Sequence, residues 1–75
     1  MQERRLCELR PGEQAIVSKF IKLEDQHIRK LLALGVLPGT LVKVLQVSPT
    51  LVIRIDHTQL ALDREVAAHI GIQKS

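Results

Sequence analysis

The apolar positions of this chain change period twice. From Gln14 to Phe20 the residues Ile16, Val17 and Phe20, with Ile21 just beyond, read as a strand whose spacing leaves the buried face open. Between Leu23 and Leu34 the period lengthens. Ile28, Leu31, Leu32 and Gly35 fall at i, i+3, i+4 and i+7, which is one face of a helix. Asp25 is placed to cap it, because a carboxylate there accepts from the free amides of the first turn. Arg29 and Lys30 lie off the apolar stripe. Gly35 supplies the left-handed residue that stops the helix without a Cβ clash, and Leu37-Pro38-Gly39-Thr40 predicts a type II turn.

After that turn the period returns to two. Leu41 to Val47 is a strand with apolar residues in both phases, so both of its faces are expected to be partly covered. Ser48-Pro49-Thr50 is a tight connection. Leu51, Ile53 and Ile55 alternate with Val52, Arg54 and Asp56 in a half-buried strand. Asp56-His57-Thr58-Gln59 turns the chain into a third short strand, Leu60-Ala61-Leu62. Asp63 caps a brief helix through Ala68, and Ile70 and Ile72 form a last strand. Upstream, Leu6 and Leu9 precede Pro11-Gly12, a short packed lead-in followed by a turn. Several short strands with one substantial helix predict a mainly β fold, a small and strongly curved barrel built as one domain over residues 1–75.

Composition narrows the function. A chain of 75 residues excludes a multidomain enzyme. Its apolar content is aliphatic, with 12 Leu, 7 Ile and 7 Val against one Phe and neither Tyr nor Trp. Peptide grooves of the proline-rich type and base-stacking surfaces both need aromatic rings, so Phe20 alone supports neither. Eleven Lys and Arg against eight Asp and Glu give a net charge of +3. The basic residues are scattered among acids such as Glu3, Glu8 and Glu24, which is not a nucleic-acid footprint. Cys7 has no partner for an internal disulfide, and the opening MQERRLCELR is no secretory signal. The longest nearly apolar stretch, Leu31 to Leu37, is far short of the roughly 20 residues a membrane span needs. A soluble protein of the reducing cytoplasm is the expectation, with no direct membrane insertion.

No catalytic constellation is legible. His27, His57 and His69 are each alone in their segments, and Cys7 has no Cys-x-x-Cys companion. Asp56-His57 is the one adjacent acid and histidine, and neighbours in a turn are usually only solvated. The glycines at 12, 35, 39 and 71 never cluster into a phosphate-binding loop. The reading is therefore of a non-enzyme with no cofactor, no metal ligand set, and protein contact as its means of action.

The order of short motifs adds an identity class. Leu6-x-x-Leu9-x-x-Gly12-x-x-Ala15 is followed by Lys30-Leu31-x-x-Leu34-Gly35-Val36-x-Pro38-Gly39, then by Ile53-x-Ile55, Leu60-Ala61-Leu62 and Ala67-x-x-Ile70-x-Ile72. Nearly the whole chain thereby resembles the ferrous iron transport protein A (FeoA) family. The Leu-x-x-Leu-Gly-Val-x-Pro-Gly segment is the most specific part. The resemblance implies an SH3-like small β-barrel with a helix inserted between the first two strands and a short helical turn before the last. It also implies a cytoplasmic accessory protein of bacterial ferrous iron uptake, acting on the membrane transporter FeoB at or near its GTPase region. Two departures from the family pattern are His57, where many members carry glycine, and the short Ser48-Pro49-Thr50 connection.

Packing and turn geometry account for Leu31, Leu34, Gly35, Pro38 and Gly39, so a partner surface is expected on exposed positions beside them. Arg29, Lys30 and Leu37 are the candidates, and weak self-association is expected alongside. Two further readings remain: a small barrel binding nucleic-acid backbone, and direct iron binding. Scattered charge weighs against the first, and isolated histidines with one cysteine against the second.

Overall fold

The computed structural model describes residues 4–74; Glu3, counted above among the interleaved acids, lies outside them, as do residues 1–2 and 75. Six strands form one antiparallel sheet: β1 (Arg4–Arg5), β2 (Gln14–Phe20), β3 (Leu41–Gln46), β4 (Leu51–Ile55), β5 (Thr58–Leu62) and β6 (Ile70–Lys74). Their spatial order is β1-β6-β2-β3-β4-β5, so the last strand sits inside the sheet. A helix α1 (Asp25–Ala33) joins β2 to β3, and a single-turn helix α2 (Arg64–Ala67) joins β5 to β6.

The mainly β class with a short helix before the last strand is as expected. Three details differ. The lead-in contributes a strand, because Arg4 and Arg5 pair with Ile72 and Gly71 of β6; two polar residues carry no periodicity to announce it. The inserted helix consequently lies between the second and third strands. The sheet also remains open: among the described residues β1 and β5 are its edges and do not pair with one another. It curls because β2 and β3 each hold one extra residue, at Ser18 and Leu45, where the register with β6 and β4 slips. Such bulges raise the local twist and bend a strand.

That curl wraps a core of aliphatic side chains. Ala15 and Val17 of β2, Val42 and Val44 of β3, and Leu51, Ile53 and Ile55 of β4 all point inward with the period of two that a pleated strand imposes. β6 is buried at Ile70, Gly71 and Ile72 together, as befits a strand flanked by β1 and β2. Leu6 and Leu9 plug one side from a 3-10 turn (Leu6–Glu8). The Arg5 guanidinium ties that turn to α2 by donating to the Ala68 carbonyl at 2.8 Å. Phe20 is half-buried against the same core.

Local boundaries shift for physical reasons. Asp25 is the first residue of α1 and does not cap it; Glu24, extended at φ −68° and ψ 150°, holds the cap position without a side-chain bond. β3 ends at Gln46, one residue short of Val47, and β5 starts at Thr58 because Ile55 and Thr58 still pair across a two-residue loop. In that loop Asp56 takes the positive φ of 54°, and His57 does not. A short polar side chain tolerates the left-handed region far better than most.

Candidate functional site

α1 and the turn after it carry the three predicted partner residues, Arg29, Lys30 and Leu37. The helix closes in a Schellman arrangement: the Val36 N–H donates to the Leu31 carbonyl at 2.9 Å and the Gly35 N–H to the Leu32 carbonyl at 3.0 Å. Gly35 adopts φ +91°, and Val36 is thereby turned back into the core beside Leu31. The Leu37–Thr40 turn follows as expected. Gly39 has φ +94°, and the Thr40 N–H reaches the Leu37 carbonyl at 3.0 Å. The Gly39 N–H donates to the Val17 carbonyl at 2.7 Å, which pins the turn to β2.

This closure divides the leucines that the motif brings together. Leu31 is 2% exposed, but Leu32 is 43%, Leu34 41% and Leu37 42% exposed. Leu32 was expected on the buried stripe and Leu34 was assigned to packing, and neither is buried. Successive helical residues point about 100° apart, so Leu31, Leu32 and Leu34 cannot share one inward direction. The run of apolar letters was the signal for this, since a helix packed on one side buries only part of such a run.

The three predicted partner residues sit as follows. Arg29 and Lys30 are exposed on α1, and Leu37 is exposed in the turn. Lys30, Leu31 and Leu34 face the end of β5, where they line a hollow of about 230 Å³ with His27, Thr50, Leu62, Asp63 and Val66. Arg29 lies about 100° further round the helix and does not line it. Around the helix the two cations therefore stand on the solvent side between the exposed Leu32 and Leu34.

A carbonyl can only accept, so the His69 Nδ1–H donates to the Ile21 carbonyl at 2.9 Å, a strut between β2 and the start of β6. His27 is half-buried at the α1 hollow, His57 is exposed at the β4–β5 loop, and Cys7 is half-buried in the lead-in. Among the described residues no three of His, Cys, Asp and Glu come together as a metal-binding group, and no helix is long and apolar enough to cross a membrane.

The sequence profile of the FeoA domain matches residues 4–74. The chain belongs to the FeoA domain family. Solved FeoA structures agree with it in fold. An FeoA protein from Chlorobium tepidum is 27% identical with a TM-score of 0.87, over 95% of this chain and 70% of that one. An FeoA from Stenotrophomonas maltophilia, complexed with zinc and described as a prokaryotic SH3 domain protein, is 24% identical with a TM-score of 0.82, over 93% of this chain and 89% of that one. The SH3-like class implied by the motifs is thus shown. IdeR of T. acidophilum superposes with a TM-score of 0.91 at 21% identity, over the whole of this chain and 35% of that one, a likeness of fold alone. No curated protein sequence matches.

Proposed function

We propose that this chain is a cytoplasmic accessory protein of bacterial ferrous iron uptake that acts by contact with an FeoB-type transporter at or near its GTPase region. The observation that carries the reading is the FeoA domain match across every described residue. The exposed leucines and their neighbouring cations suit it. Leu32, Leu34 and Leu37 stand on a helix and turn fixed by backbone hydrogen bonds, so docking there orders little extra chain. Lys30 and Arg29, between Leu34 and Leu32 around the helix, add charge that steers approach and fixes register rather than supplying most of the affinity.

The test is a binding titration of the full chain against the intact transporter in nanodiscs, with GTP turnover measured in parallel. Saturable binding is expected, weakened about tenfold or more by Leu34→Asp and by Lys30→Glu, each checked for an unchanged circular dichroism spectrum. Binding that is absent, or indifferent to both substitutions, overturns the reading. If GTP turnover moves on addition of the chain, the contact is regulatory; if it does not, the chain acts as a scaffold.

A further inference from the structure

The outer face of the sheet holds a second arrangement, independent of α1. The registers set Gln14 opposite Lys43, Lys43 opposite Arg54, and Arg54 opposite Gln59. One row across β2, β3, β4 and β5 thus carries two cations side by side between two amides, with no acid in it. Directly opposed residues have Cβ atoms about 4.5–5.5 Å apart, and like charges so placed work against the fold. Neighbouring acids do not relieve this. Glu13, next to Gln14, is held by Lys74 at 2.9 Å and by the Arg10 N–H at 2.7 Å. Asp56 lines the same hollow, yet among the described residues it makes no ion pair with Lys43 or Arg54. Beside the cations stands Leu41, 48% exposed and two residues from Lys43 on the same face of β3. Gln14, Leu41, Lys43, Arg54 and Asp56 border a shallow hollow of about 360 Å³.

We propose that this hollow docks a segment of a partner protein that presents a carboxylate beside an aliphatic side chain. The carboxylate bridges Lys43 and Arg54, and the aliphatic group rests on Leu41. A guanidinium can grip a carboxylate through two parallel N–H bonds while the ammonium adds a point charge, so the ligand removes the repulsion that the empty face carries. The chemistry favours a peptide over nucleic acid. No aromatic ring borders the hollow to stack a base, and Leu41 offers nothing to a phosphate. Both neighbouring strand edges are already paired, so recognition runs through side chains.

The test is fluorescence anisotropy of the full chain with a fluorescein-labelled peptide alternating glutamate and leucine. Saturable binding is expected, about tenfold weaker with Arg54→Glu and with Lys43→Glu, several-fold weaker with Leu41→Ala, and unchanged with Lys22→Glu on a different face. A peptide with glutamine in place of glutamate does not bind. Arg54→Gln guards against misfolding, because removing one of two opposed like charges holds or raises the melting temperature. The proposal is overturned by an absence of saturable binding, by an equal loss with Lys22→Glu, or by a lower melting temperature for Arg54→Gln. It is overturned as well if a labelled single-stranded oligonucleotide binds the same residues more tightly than the peptide.

Discussion

Leu31 and Leu34 are the two leucines of the Leu-x-x-Leu-Gly segment, and truncating each to alanine separates their roles. Leu31→Ala removes a side chain that is 2% exposed and packed in the central cluster. Large-to-small changes at such sites cost about 2–5 kcal/mol, from lost transfer energy together with the cavity left behind. A chain of 75 residues has a total stability of only about 4–11 kcal/mol, so this single change removes a large share of it. At about 4–8 °C per kcal/mol for a domain of this size, the melting temperature falls by about 8–40 °C. Leu34 is 41% exposed. Full burial of a leucine is worth about 1.5–3 kcal/mol, and the part of that which Leu34 realises keeps Leu34→Ala near 1 kcal/mol or below. Urea unfolding followed by circular dichroism measures both, and the slope should match the unaltered chain so that the midpoint alone moves. Equal losses for the two variants would refute the division into core and surface leucines.

The other predictions follow from single features. Gly35→Ala should destabilise by about 1–2 kcal/mol, because φ is +91° and nothing lies within 4 Å of a built Cβ; the cost is backbone strain and not a clash, and thermal melts will read it. The Glu13 carboxyl is held below its ordinary value of 4.5, first by its hydrogen bond to Lys74 and then by that from the Arg10 N–H. A depressed carboxyl contributes stability above its unfolded value and loses it as pH falls through the folded one. The stability gap between the chain and Glu13→Gln should therefore be constant near neutrality and close below pH 4.5, as urea titrations at stepped pH will show. Arg54→Gln should gain stability at low salt, and the gain should shrink as salt rises.

Which parts of this architecture the sequence announces depends on how many neighbours each element needs. Gly35, Pro38 and Gly39 are local instructions, read from the chain because a left-handed residue and a preset φ serve the same turn in any context. The alternation of Leu51, Ile53 and Ile55 is equally plain, since β4 has one face in the core. β1 was hidden because Arg4 and Arg5 are strand only by virtue of β6, which lies more than sixty residues away. The open sheet was hidden for a related reason. How far the sheet curls depends on the bulges at Ser18 and Leu45, and neither residue type marks a bulge. The exposed leucines were half legible. Periodicity selected the helix, but only its packing against the sheet decides that Leu31 turns inward and Leu34 outward.

The same few residues thus shape both the fold and the surface it presents. Gly35 ends α1, sends Val36 back to the core beside Leu31, and leaves Leu34 and Leu37 stranded in solvent on either side of the reversal. Had the helix continued one more turn, the residue at 35 would have fallen on the buried stripe with Ile28 and Leu31, and Leu37 would have no turn to display it. In a core this small, no leucine on α1 can be turned outward except at the expense of burial that the domain could otherwise use. The exposure of three leucines therefore has to be offset by the Schellman closure and by the hydrogen bond from Gly39 to Val17. A variant that loosened that closure would reach the sheet as well, because the turn bonds to Val17 of β2, the strand that pairs with both β3 and β6.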